Sequence, residues 1–418
     1  MTPKKFFREH PIYAIFVVIL IDFLAIGLTY PTLAILIKNE GAGNLLPEHY
    51  NQNQRDGIFA LISGLFFLCT FFGAPVLGTL ADKYGRKKVL LLTSFCSGIG
   101  FTVMGLGAYL QFLPFIFVGR MISGLLGSIM LVVLSSIADI SDEKSKANNF
   151  GIPGVAFGLG FLFGIFVSER ILQSTLPGAE AFTFLVAGGL LLVNVVFVFF
   201  LYPETLEHFR PKLPIKWSTG IRNAYRAFHE KQWRQLFMVI FLTTLGFSTF
   251  VQLFPVFLLN RFSEVNADKS LYVILLAYAA IWAAISQGLL IRLVSKWLEP
   301  QRILFFTLPA FAITYLLLLI PKNYSWMFLV IPLISIFQGL TYPCLLAVLS
   351  NRIRPDMQGE VVGIDQSVKA LGSSFPILLT LSTYDISWLS IVIGCVATVL
   401  AYILFLNLGS KGKEVVFE

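Results

Sequence analysis

Charge is scarce in this 418-residue chain: Asp, Glu, Lys and Arg together make up 13%, where a soluble domain carries roughly 25%. With hydrophobic residues at 56% and a mean hydropathy of +0.79, the shortage excludes a disordered chain and an ordinary cytosolic enzyme. Cysteine is equally sparse. Cys69, Cys96, Cys344 and Cys395 lie in apolar runs without CxxC or metal-ligand spacing, which excludes a disulfide framework and a zinc site. The four histidines (His10, His49, His208, His229) fall outside the apolar runs, so no histidine relay operates within them. No phosphate-binding loop of the G-x-x-x-x-G-K-[S/T] type occurs, which removes ATP as an energy source, and neither metal nor cofactor is expected. The net charge of +8 is spread over short loops and forms no continuous patch, which argues against nucleic acid as a partner.

What the chain has in quantity is long apolar runs. A helix needs roughly 20 apolar residues to cross a bilayer. Twelve such runs are readable, at 12–37, 58–80, 88–110, 112–138, 148–172, 180–202, 234–259, 271–294, 302–320, 326–350, 359–384 and 387–408. They are apolar on every face and do not alternate, so they are helices and not barrel strands. The first run is too long for a signal-peptide core and stays in the mature protein. Lys and Arg between the runs orient the chain: 22 fall on the side of the N-terminus and 6 on the other. That asymmetry puts both termini in the cytoplasm. The longest interruption is basic and Pro-punctuated, with a helix expected at Thr219–Lys231. It divides the chain into residues 1–202, a cytoplasmic linker at 203–233, and residues 234–418. A short internal repeat supports two related halves: Ala147-Asn148-Asn149-Phe150-Gly151 aligns with Gly359-Glu360-Val361-Val362-Gly363, and the same offset brings Leu159-Gly160 onto Leu371-Gly372.

The sharpest motif joins spans two and three: Gly78-Thr79-Leu80-Ala81-Asp82-Lys83-Tyr84-Gly85-Arg86-Lys87-Lys88. Gly78 permits close helix approach, and Gly85 permits the tight turn of a very short loop. Asp82 and Arg86 can pair with charges on neighbouring cytoplasmic ends in one conformation and release them in another. This stretch resembles the signature loop of the major facilitator superfamily. Ala74-Pro75-Val76-Leu77-Gly78, Ile21-Asp22 with Gly27, Leu28, Pro31 and Leu33, Gly119-Arg120 with Gly124 and Gly127, and Ile137-Ala138-Asp139-Ile140-Ser141-Asp142 resemble its twelve-span drug/proton antiporter group, especially the tetracycline-exporter branch. The second half is similar more loosely, through Phe241-Leu242-Thr243 with Gly246-Phe247 and Gly359-Glu360 with Gly363 and Gln366.

The resemblance implies an all-α membrane protein with twelve transmembrane helices in two pseudo-symmetric six-helix bundles around a central cavity. It also implies a cytoplasmic gate of Gly78, Asp82, Gly85, Arg86 and Asp139, with Asp139 the partner of the loop arginine. Span five departs from the antiporter pattern. Gly160 and Gly164 are present, but Ile165 stands for the proline and Ser168-Glu169 for the last two glycines. Spans eight and nine lack the acidic residue and histidine that tetracycline exporters place there, so tetracycline is not the expected substrate.

Ionisable groups inside a span are functional candidates. Asp22 lies ten residues into span one, about 15 Å along its axis, and Arg120 about 12 Å from the outer face. An Asp22–Arg120 ion pair is expected, with proton uptake at Asp22 linked to its loss; a permanent tie between spans one and four is the alternative. Asp365 and Lys369 share one face of span eleven. They either neutralise each other or let Lys369 hold an anionic group of the substrate. Tyr30, Gln252, Gln287, Gln338, Tyr342 and Gln366 complete the candidate substrate contacts. The expected protein is a monomeric secondary transporter of a bacterial inner membrane, exporting a small molecule against protons by alternating access. Transport of an anionic metabolite, a carboxylate or a siderophore, is the alternative, and a non-transporting membrane sensor the lesser one. No enzyme is expected, because no His, Cys or paired-acid cluster forms at the interface.

Overall fold

The computed structural model describes residues 2–38, 45–47, 49–127, 129–141, 149, 151–206, 218–231, 233–320, 323–351, 358–379 and 386–411. Linker residues 207–217 and 232, the end of span eleven at 380–384, and Ala147, Asn148, Phe150 and Asp142 of the sequence motifs lie outside them. Eleven described helical stretches are long and apolar enough to cross a membrane, and the chain is a multi-pass, all-α membrane protein. Spans one to three are Pro11–Lys38, Gln52–Tyr84 and Arg86–Tyr109. Spans five, six and seven are Ile152–Leu172, Ala179–Leu201 and Arg234–Arg261. Spans nine, ten and twelve are Pro300–Leu317, Met327–Asn351 and Ile386–Lys411.

Three spans are interrupted where continuous helices were expected. Span four is Leu113–Leu126 followed by Ile129–Ile140; at the break Ser97 Oγ donates to the Gly127 carbonyl at 3.4 Å. Span eight runs from Lys269 to Ile285 and continues through a π turn, Ser286–Leu290, before a last short helix, Ile291–Val294. Span eleven is Gln358–Ser373, then Pro376–Leu379 after a turn. Pro376 has no N–H to continue the ladder, and the Ile377 N–H bonds Ser374 instead. Span two begins at Gln52, six residues before its apolar run. Asn51 and Gln54 exchange side-chain-to-backbone hydrogen bonds of 2.9 Å each, a capping box that starts the helix in the polar zone.

Span one packs on five and six, three on four and six, and two on four; seven packs on eleven and twelve, nine on ten and twelve, and eight on ten. Between these two groups, span five meets eight and span two meets eleven. Gly160 and Gly164 of span five serve the span one–span five contact, while Gly154 and Gly158 face span eight. A Cβ at Gly160 would lie 2.6 Å from the Leu20 carbonyl oxygen, so only glycine allows this approach. Ser168, which departs from the antiporter pattern, meets Thr32 of span one, hydroxyl to hydroxyl, at 3.0 Å in a buried position.

Gly160→Leu forces spans one and five apart and is expected to cost about 1–3 kcal/mol, as overpacking does. The unfolding midpoint in detergent reads it. Gly189→Leu, at a glycine with open space around its missing Cβ, leaves that midpoint unchanged.

Candidate functional site

The turn between spans two and three consists of Gly85 alone, at φ 101° and ψ 151°. A side chain there would be strained, which explains the glycine. The turn delivers Arg86, 6% exposed, to two carboxylates. Its Nη1 lies 2.6 Å from Asp82 Oδ1, its Nε 2.9 Å from Asp139 Oδ2 and its Nη2 3.5 Å from Asp139 Oδ1. Gly78 faces Leu131 of span four, whose Cδ2 would lie 2.8 Å from an added Cβ. Gly78, Asp82, Arg86 and Asp139 thus meet where spans two, three and four come together, and Gly85 forms the turn beside them.

A sixth member escaped the sequence reading. Glu204, just after span six, accepts the backbone N–H of Arg86 at 2.8 Å and of Lys87 at 3.2 Å. A carboxylate at the first turn of span three satisfies orphan donors and complements the helix dipole. An acidic residue at the end of span six, in an otherwise basic linker, is the signal that could have found it.

Deeper in the membrane the expected partners part company. Asp22 is 8% exposed and makes no ion pair or hydrogen bond with any described residue. Arg120 does not pair with it. The Arg120 guanidinium lies 5.8 Å from the centre of the Phe66 ring, and its buried Nε has no partner. The expected Asp22–Arg120 pair is therefore not formed in this conformation: Arg120 turns its charge to an aromatic face of span two instead. Tyr30 hydrogen-bonds the Val251 carbonyl of span seven and packs its ring 5.6 Å from Phe161. Gln252, next along span seven, donates to the Ser373 carbonyl at 2.8 Å, and its Oε1 is buried without a partner.

In span eleven, Lys369 Nζ and Asp365 Oδ2 are 2.6 Å apart, so this pair does neutralise itself here. Asp365 is 1% exposed, with its second oxygen unpartnered. Gln366 donates to the same carboxylate at 3.4 Å, and Tyr342 presents its ring 5.9 Å below the Lys369 ammonium. Two candidates stand apart. Gln287 lies in the π turn of span eight against Gly154 of span five, and Gln338 is half-buried in span ten with no described hydrogen bond.

The opposite end of span two carries contacts that no motif announced. Asn260 at the end of span seven donates to Asp56 of span two at 2.7 Å, and Gln52 bridges both at 3.3 Å. Beside them the fully buried Arg55 donates to the carbonyls of Ile37, Leu46, Pro47 and Tyr50 at 3.0–3.4 Å. It thereby ties the outer loop to the end of span one.

Residues 15–377 match the family described as Major Facilitator Superfamily. The tetracycline resistance protein of class G from Vibrio anguillarum is 29% identical over 376 residues, 88% of each chain. The class C protein of Escherichia coli is 26% identical over 370 residues, 86% of each chain. The crystal structure of the human organic anion transporter MFSD10 (TETRAN) superposes with a TM-score of 0.73 at 19% identity, covering 94% of this chain and 98% of that one, a likeness of fold. The motif resemblance and these matches agree.

Arg86→Ala leaves Asp82 and Asp139 unpaired and removes charge-assisted bonds worth roughly 1.5–3 kcal/mol. The inner ends of spans two and eight are then expected to separate more often, by about tenfold in the open-to-closed ratio. Single-molecule energy transfer between dyes on noncanonical residues at positions 84 and 295 measures this. Arg86→Lys, which keeps the charge but loses the fork, falls between the two.

Proposed function

We propose that this chain, which belongs to the major facilitator superfamily, is a proton-coupled exporter of a small molecule that works by alternating access. The chain is a membrane transporter and not an enzyme; coupling, direction and substrate are the parts proposed. Residues 1–202 and 234–418 act as two six-helix halves joined by the linker at 203–233, in an inner membrane with both termini cytoplasmic, and one chain suffices. Similarity to tetracycline resistance proteins over most of the chain supports export.

The observation that carries proton coupling is Asp22. A carboxylate without a partner in the interior of a membrane protein is costly unless it exchanges a proton or a counter-charge. In this reading Asp22 is the proton site, and Arg120 is the cation it meets in another conformation. Proton gain at Asp22 removes that attraction, and proton loss restores it. Arg86, Asp82 and Asp139, with Gly78 and Gly85 setting the approach and the turn, close the cytoplasmic side. Tyr30, Gln252, Gln287, Gln338, Tyr342, Asp365, Gln366 and Lys369 contribute to a substrate site between the halves.

One observation favours a second reading, transport of an anionic metabolite. Arg120 is a buried cation with no carboxylate beside it, and an anionic group on the substrate would complete it.

Proton movement in liposomes containing the purified protein separates the readings. A panel of cationic drugs and polycarboxylates is applied to wild type, Asp22→Asn and Arg120→Ala. Export of a cationic compound predicts drug-driven proton flux that Asp22→Asn abolishes. Flux driven only by carboxylates and lost in Arg120→Ala establishes the anion reading. Flux unchanged in Asp22→Asn reduces Asp22 to a structural group and overturns the coupling assignment.

A further inference from the structure

The linker helix Thr219–His229 does more than tether. Its buried residues are Gly220, Asn223, Ala224 and Ala227, spaced i, i+3, i+4 and i+7 along one face. Ile221 and Tyr225 on other faces are exposed. A face of small residues permits backbone-to-backbone approach, and the helix uses it between the two halves of the protein. Gly220 sits against the Phe71 carbonyl of span two with no room for a Cβ. Ala224 packs with Phe71 of span two and Ala370 of span eleven, flanked by Phe72 and Leu371. Asn223 Nδ2 donates to Ser367 Oγ of span eleven at 3.2 Å, a buried bond between two side chains. Phe228 sets its ring edge-on to Phe241 of span seven, centroids 5.6 Å apart.

The depth of these contacts sets them apart from surface docking. Phe71 lies about 20 Å along the helix from the cytoplasmic end of span two at Tyr84, and Ser367 about 14 Å from the start of span eleven, at 1.5 Å per residue. The helix therefore enters the seam where spans two and eleven converge from the inner side. An inner opening needs that seam to part.

We propose that Thr219–His229 is an inner plug: it occupies the span two–span eleven seam while the protein is closed to the cytoplasm, and it withdraws when the inner face opens. The Asn223–Ser367 bond and the Gly220–Phe71 approach bridge elements of opposite halves, so they persist in the closed arrangement and are lost on separation. The linker is then a two-state element whose position biases the transport cycle. This inference needs no knowledge of substrate or coupling ion.

The test uses the full chain in liposomes with its four native cysteines replaced, and the dye pair at positions 84 and 295 as readout. Asn223→Cys with Ser367→Cys is expected to cross-link on oxidation, to remove the inner-open population, and to regain it on reduction. Gly220→Leu, whose side chain does not fit against Phe71, is expected to raise the open-to-closed ratio about tenfold. Asn223→Ala moves it in the same direction by less. Failure of the pair to cross-link, an oxidised protein that opens as often as the reduced one, or an open-to-closed ratio unmoved in both Gly220→Leu and Asn223→Ala would each overturn the plug. Asn223→Ala keeps the test valid if Gly220→Leu does not fold, since it only removes one side-chain amide.

Discussion

The organisation of this protein rests on one guanidinium. Arg86 is placed by a single-residue turn, shared between Asp82 of span two and Asp139 of span four, and seated on a helix terminus that Glu204 caps. Such a charge is tolerable at the membrane edge only because every neighbour answers it. Four elements converge there: the ends of spans two, four and six and the start of span three. Movement of any one changes the partners available to the others, which is why the proposed gate is placed here.

The same rule applied deeper in the membrane separates paired groups from unpaired ones. Lys369 and Asp365 satisfy one another along a helix face and are quiet in this conformation. Asp22 and Arg120 are not satisfied by one another, and the aromatic face of Phe66 is a weaker partner for Arg120 than a carboxylate. An account in which proton and substrate visit these two groups uses the imbalance. An account in which they are a permanent tie does not. Asp56, Asn260 and Gln52 join spans two and seven across the two groups of helices, by amide and carboxylate, whereas the Arg86 ion pairs lie wholly within the first group.

Much of this was legible in the sequence, for identifiable reasons. Apolar runs report spans because the bilayer imposes length, and the loop motif reports the one-residue turn and its ion pairs because Gly85 and Arg86 each have a geometric duty that few residues meet. The breaks in spans four and eight were not legible, whereas Pro376 marks the one in span eleven. Ser97 reaching the Gly127 carbonyl and the π turn at Ser286 depend on neighbouring helices, and no window of sequence contains them. The Asp22–Arg120 pair was inferred from depth alone; the azimuth of each side chain about its helix decides contact, and Phe66 won. Asn260 is a single polar residue at a span end, indistinguishable from a solvated one until its partner is placed, while Glu204 stood out only as an acid at the start of a basic linker. The linker helix was visible as a helix, but that Gly220, Asn223, Ala224 and Ala227 pack against spans two and eleven depends on contacts remote in sequence.

The central claim is that the contacts at the two faces alternate. The most direct measurement fixes one face and watches the other. With Asp56→Cys and Asn260→Cys oxidised to a disulfide across the outer face, the inner distance between positions 84 and 295 is recorded in liposomes. The account predicts that the outer-locked protein still visits both inner distances, the longer one more often when Arg86 is replaced by alanine. An outer-locked protein frozen at the short inner distance, with or without Arg86, would contradict it.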